Sequence, residues 1–114
     1  MSTEHRDYIM RIIAEFGFVL RRLLGRLGEG RAAAAEVIRE AQTAQAALLG
    51  PRASSAPFVD AATAVRLVGN PELLALWIDF LRVEAAAHRM EGREPQAAAL
   101  EERARALEQA AVGA

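Results

Sequence analysis

Gly69-Asn70-Pro71-Glu72-Leu73-Leu74-Ala75-Leu76-Trp77-Ile78-Asp79-Phe80-Leu81 is the stretch whose reading decides the fold. Gly69 ends one helix, Asn70 caps the next, Pro71 takes its first position and Glu72 meets the positive end of its dipole. Leu73, Leu74, Leu76, Trp77, Ile78, Phe80, Leu81 and Val83 then supply a dense apolar surface at helical spacing. The opposite stripe is polar or small, with Glu72, Ala75, Asp79, Arg82, Ala86, Arg89 and Arg93 three and four residues apart. This predicts a helix over about 71–91, broken by Gly92. Pro95 opens another over about 95–112, in which Ala97, Leu100, Ala104, Leu107 and Ala111 form a narrow heptad seam.

The chain before this stretch is also helical in pattern. Ile9, Ile12, Ile13, Phe16, Val19, Leu20, Leu23, Leu24 and Leu27 predict one long amphipathic helix over about 3–27, closed by Gly25, Gly28 and Gly30. A second helix, about 31–49, presents Ala34, Val37, Ile38, Ala41, Ala44 and Leu48 on one face. Gly50-Pro51 stops it, and about 50–56 reads as a flexible loop. Ser54 or Ser55 is expected to cap a third helix over about 56–69, with Phe58, Ala61, Ala62, Val65 and Val68 inward. No strand or hairpin signature is present. The expectation is an all-α single domain spanning 1–114: a five-helix array with the long first helix packed on antiparallel hairpins. Short loops at 28–30, 69–71 and 92–94 bring neighbours together.

Composition agrees and narrows the function. The chain has 114 residues, enough for one core. Apolar residues make up 53% of it, and 26 of them are alanine. Alanine favours helices and close helix contact while burying little area. All 14 basic residues are arginine, and the net charge of −1 gives no general attraction to nucleic acid or membrane. With no cysteine there is no disulfide, thiol nucleophile or cysteine-bound zinc. Arg11, Glu15, Arg21 and Arg22 interrupt the apolar stretch from Tyr8 to Leu24, so neither a signal peptide nor a membrane span is expected. The reading is a cytoplasmic protein.

Two resemblances follow from particular residues. The run from Trp77 through Gly92, Ala97 and Ala104 resembles a tetratricopeptide-type helical hairpin, with glycine at the turn and small residues where the helices touch. Leu100 and Glu101 stand where that repeat has a large aromatic. The whole chain resembles a small bacterial helical family that opens with Asp-Tyr-Ile-Met-Arg, here Asp7 to Arg11, and closes with such a hairpin. That resemblance implies a fold and no activity.

Candidate chemistry is sparse. Glu84 and His88 lie one turn apart on the side of the fourth helix away from its polar stripe. The pair suits a general base with its orienting carboxylate, half of a metal site, a ligand or partner contact, or a structural pair. The only other histidine is His5. Arg21, Arg22, Arg26 and Arg31 form a candidate basic patch for phosphate or nucleic acid. They lack interleaved aromatics for base stacking and equally suit a helix C-terminus. Gly25-Arg-Leu-Gly28-Glu-Gly30 lacks the lysine and hydroxyl of a phosphate loop. Met10 and Phe18 fall off the main seam of the first helix and are candidate dimer contacts. The leading expectation is a non-enzymatic helical interaction module, homodimeric and able to hold a protein or peptide segment, with no cofactor or metal. A small-ligand or metal-binding bundle is the alternative, and a nucleic-acid accessory protein the third.

Overall fold

A computed structural model describes residues 3–113. The chain is all-α, with helices α1 (Thr3–Leu27), α2 (Arg31–Leu49), α3 (Ala61–Val68), α4 (Pro71–Met90) and α5 (Glu94–Gly113). Two short 3₁₀ turns, Gly50–Ser54 and Ala56–Phe58, join α2 to α3. The described residues include no strand, and no helix among them is long and apolar enough to cross a membrane.

α4 is the hub. Its first turn is closed by the Asn70 side chain, which accepts hydrogen bonds from the Glu72 and Leu73 amides at 2.9 and 3.0 Å. Its end is a Schellman turn. The Arg93 amide donates to the His88 carbonyl at 2.9 Å and the Gly92 amide to the Arg89 carbonyl at 3.0 Å. Gly92 sits at φ +78°, a left-handed conformation that glycine adopts without penalty. The chain therefore turns sharply, and α5 folds back along α4.

α4 packs against α1, α2 and α5. Trp77 and Phe80 are almost fully enclosed, and each such side chain contributes about 1.5–3 kcal/mol by leaving water. Phe80 meets Phe16 of α1 edge to face, with ring centroids 6.4 Å apart. On α2, Ala34, Ala41 and Ala44 are buried beside Val37, Ile38 and Leu48. Their small size lets two backbones approach closely. Ala97 and Ala104 do the same on α5, beside the buried Leu107.

Two arginine forks tie the outside of this α4–α5 hairpin. Arg89 donates to both Glu94 oxygens at 2.8 and 3.0 Å, and to Glu101 at 2.8 Å. Arg82 binds Glu108 at 2.6 and 3.0 Å. These bonds hold the Glu94, Glu101 and Glu108 carboxyls below the usual glutamate range.

The segment between α2 and α4 departs from the sequence expectation. α3 begins at Ala61, because Pro57 lies in a 3₁₀ turn and Val59 is extended. Its cap is Asp60, which accepts from the Thr63 amide at 3.1 Å. Ser54 and Ser55 instead donate back to the Pro51 and Arg52 carbonyls. The broken helix takes Phe58 and Ala62 out to solvent, while Ala61, Val65 and Val68 pack on the core as expected. Phe58 is 80% exposed rather than inward, and Ala64 and Val68 form the buried face. Residues 50–56, expected to be a flexible loop, are folded into the two 3₁₀ turns. Ala56 is buried, and its carbonyl accepts from Arg103 at 2.9 Å. That guanidinium also lies 6.0 Å from the centre of the Trp77 ring. α3 rests chiefly on α5 rather than α4, so the 69–71 loop redirects the chain without closing a tight helix pair. Gly25 lies inside α1, and the turn begins at Gly28.

Candidate functional site

Glu84 and His88 both face inward, 6% and 8% exposed. A charged carboxylate is stable there only if its oxygens are satisfied. α2 provides the partners. Gln42 Nε2 donates to Glu84 Oε2 at 3.0 Å, and Gln45 Nε2 donates to Oε1 at 2.7 Å. His88 Nε2 lies 3.5 Å from Glu84 Oε2, a long contact. Its Nδ1 is buried without a hydrogen-bond partner. The carboxylate is thus firmly held by α2 while the imidazole is weakly held. The sequence reading identified the pair and missed the two glutamines.

Catalysis at this pair would require a substrate to reach the imidazole. The three main surface concavities described below are lined by other residues. Among the described residues, no three His, Cys, Asp or Glu side chains converge to hold a metal ion. The local chemistry is that of a polar link between α2 and α4.

The arginine candidates separate. Arg26 pairs with Glu29 at 2.9 Å and Glu36 at 2.8 Å, and Arg22 reaches Glu40 at 3.5 Å. The hydrogen bond from Arg26 holds the Glu36 carboxyl below its ordinary range, and the same bond raises the arginine. Arg26 therefore fastens α1 to α2. Arg21 and Arg31 are exposed away from this network. The signal for this arrangement was present in Glu29, Glu36 and Glu40, which return alongside the end of α1 once the Gly28–Gly30 turn reverses the chain.

Met10 and Phe18 are 61% and 62% exposed, with Tyr8 and Leu24 at 57% and 51%. At 100° per residue Met10 and Phe18 point about 80° apart, so they do not form one patch. Met10 lines a cavity of about 750 Å³ between the start of α1 and the α3–α4 turn. Phe18 stands on the outer face of α1. Of the whole helix, only Leu23 is fully buried.

Two apolar concavities flank the open stripe of α4. Leu20, Leu24 and Leu27 of α1 face Val83 and Ala86 across one of about 350 Å³. Leu74, Ala75 and Ile78 face Ala111 and Val112 of α5 across another of about 650 Å³. Asp79 borders both. Its partial burial pushes its carboxyl up, against the pull of Arg82. The sequence identifies this stripe as polar or small and shows no groove beside it. Ala75 and Ala86 were the signal that a groove lies there, since small residues lower its floor.

Comparisons with protein-family models, with curated proteins and with solved structures gave no match.

Proposed function

We propose that this chain is a non-enzymatic helical interaction module that self-associates through α1. The observation that carries the reading is the outer face of that helix. Asp7, Arg11, Ala14, Phe18, Arg21 and Gly25 are all exposed and follow one another at spacings of four and three. The spacing is that of a heptad seam, with Ala14 and Phe18 as its apolar centre and Asp7, Arg11 and Arg21 as charged flanks. Among the described residues, none covers this face. Phe18 provides a large apolar knob, and Ala14 and Gly25 leave room for a neighbouring backbone.

A second copy in antiparallel orientation fits this face. Centred between Ala14 and Phe18, the two-fold arrangement sets Phe18 of one copy over Ala14 of the other. In the same register Asp7 of each copy faces Gly25 of the other and Arg11 faces Arg21, with Asp7 one turn away to offset the two guanidinium charges. A 25-residue helix is about 37 Å long, which suits the roughly 800 Å² per partner that a stable interface needs. Met10, on a different flank, stands outside this seam. The tetratricopeptide-like character of the α4–α5 hairpin agrees with an interaction role, and the cytoplasm is the compartment expected for such a module.

Sedimentation equilibrium between about 5 and 500 μM tests the proposal. The expected result is a dimer that Phe18→Asp converts to a folded monomer. A wild-type monomer across the whole range overturns it, as does a dimer that Phe18→Asp leaves intact.

A further inference from the structure

The largest described cavity, about 750 Å³, has a composition unlike the other two. Its floor is apolar, made by Ile9 and Ile13 of α1 with Val68 and Leu73. Its rim carries Arg6 from the first turns of α1 and Arg52 from the first 3₁₀ turn. Neither arginine forms an ion pair or side-chain hydrogen bond with a described residue. By contrast, the arginine bordering the α4 groove, Arg82, is already bound to Glu108. The start of α4 also borders this cavity through Pro71, Glu72 and Leu73, the Glu72 and Leu73 amides being taken by the Asn70 side chain. Glu72 is the single carboxylate on the rim, and His5 stands beside Arg6.

We infer that this cavity binds an amphipathic anion: a molecule with an apolar body and one carboxylate or phosphate head. The volume lies within the roughly 300–1,000 Å³ typical of small-molecule sites. The aliphatic floor takes the body, whose burial supplies most of the affinity. Arg6 and Arg52 take the head, because a guanidinium pairs with a carboxylate or phosphate through charge-assisted hydrogen bonds. The two arginines come from segments 46 positions apart in sequence. They line one cavity because the 3₁₀ turn that follows α2 sets Arg52 on the side where α1 begins. The cavity opens on the flank of α1 away from Phe18, so self-association neither supplies nor removes it.

The test uses the full chain and three probes in calorimetric titrations: decanoate below its aggregation threshold, decan-1-ol and inorganic phosphate. Methyl NMR shifts of Met10, Ile13 and Val68 locate the site. Decanoate is expected to bind saturably and to move those methyls, with decan-1-ol and phosphate each at least about tenfold weaker. Arg6→Gln combined with Arg52→Gln is expected to lower decanoate affinity about tenfold or more and to leave decan-1-ol unchanged. Both side chains are exposed, so the variant keeps its fold, and far-UV circular dichroism verifies this. Absence of saturable decanoate binding overturns the inference. So do shifts confined to other methyls, equal affinity for decan-1-ol or phosphate, or a double variant that binds decanoate as tightly as the wild type.

Discussion

α4 is 20 residues long and buries twelve of them, whereas α1 is 25 residues long and buries one. Both carry many large apolar side chains, so hydrophobicity alone does not explain the difference. The number of neighbours does. α4 is enclosed chiefly by α1, α2 and α5, with a lesser contact from α3, while α1 packs chiefly on α2 and α4. Ile12, Phe16 and Leu20 accordingly pack on the core while staying partly exposed. An apolar pattern states what a helix can bury. The arrangement of the other helices decides how much of it is covered, and whatever remains is available for association.

The most direct way to break this comparison is to remove one large side chain from each helix. Trp77→Ala empties the centre of the core and is expected to cost about 3–5 kcal/mol in urea denaturation, a large fraction of the roughly 5–15 kcal/mol that holds a domain together. Phe18→Ser is expected to change monomer stability by less than about 0.5 kcal/mol in the same measurement. Similar losses for the two variants would show that α1 is held as firmly as α4.

A second variant sharpens the account of α4. His88 Nδ1 is buried without a partner, and such a group is a standing cost. Glu84 keeps both glutamine bonds when the imidazole is removed. His88→Leu is therefore expected to raise stability by about 1 kcal/mol, read as a higher midpoint in thermal or urea denaturation. A clear loss would show that the Nε2 contact to Glu84 outweighs the orphaned nitrogen.

The smallest effect concerns the surface of the α4–α5 hairpin. Glu94, Glu101 and Glu108 have carboxyls lowered by hydrogen bonds from Arg89 and Arg82. A lowered folded-state value means that these contacts stabilise the protein fully above the ordinary glutamate range. Their contribution fades as the pH falls through that range and below it. Melting temperature is expected to drop between pH 6 and pH 3, with Arg89→Gln showing a shallower drop. Parallel curves for the two proteins would show that the Arg89 fork adds nothing to stability. High salt should reduce the difference, because the side chains are exposed.

Much of this architecture was legible from short signals. Gly69-Asn70-Pro71-Glu72 marks the start of α4 because its capping chemistry is complete within four residues. The alanine faces of α2 and α5 were legible because their helices are regular from end to end. The 50–60 segment was not. A single 3₁₀ turn around Pro57 broke the phase that placed Phe58 inward, and the cap at Asp60 is paired with Thr63 rather than with the glutamate of the usual capping pattern. At the polar pair, Glu84 and His88 share one helix and could be read together. Gln42 and Gln45 lie some forty positions upstream of Glu84 in sequence and reach it only through the packing of α2 on α4. The groove beside Asp79 was hidden for the same reason, since its walls come from α1 and α5.

The placement of α3 on α5, fastened by the bond from Arg103 to the Ala56 carbonyl, has a consequence for the order of assembly. A ribosome delivers α1, α2 and α4 while α5 is still being made, and those three contain mutual contacts enough to collapse. Residues 50–68 touch α2 and α4 but gain their main partner only when α5 follows. The middle of the chain is thus the last part to close, and a nascent or truncated chain ending near Met90 should present it as the preferred point of proteolytic attack.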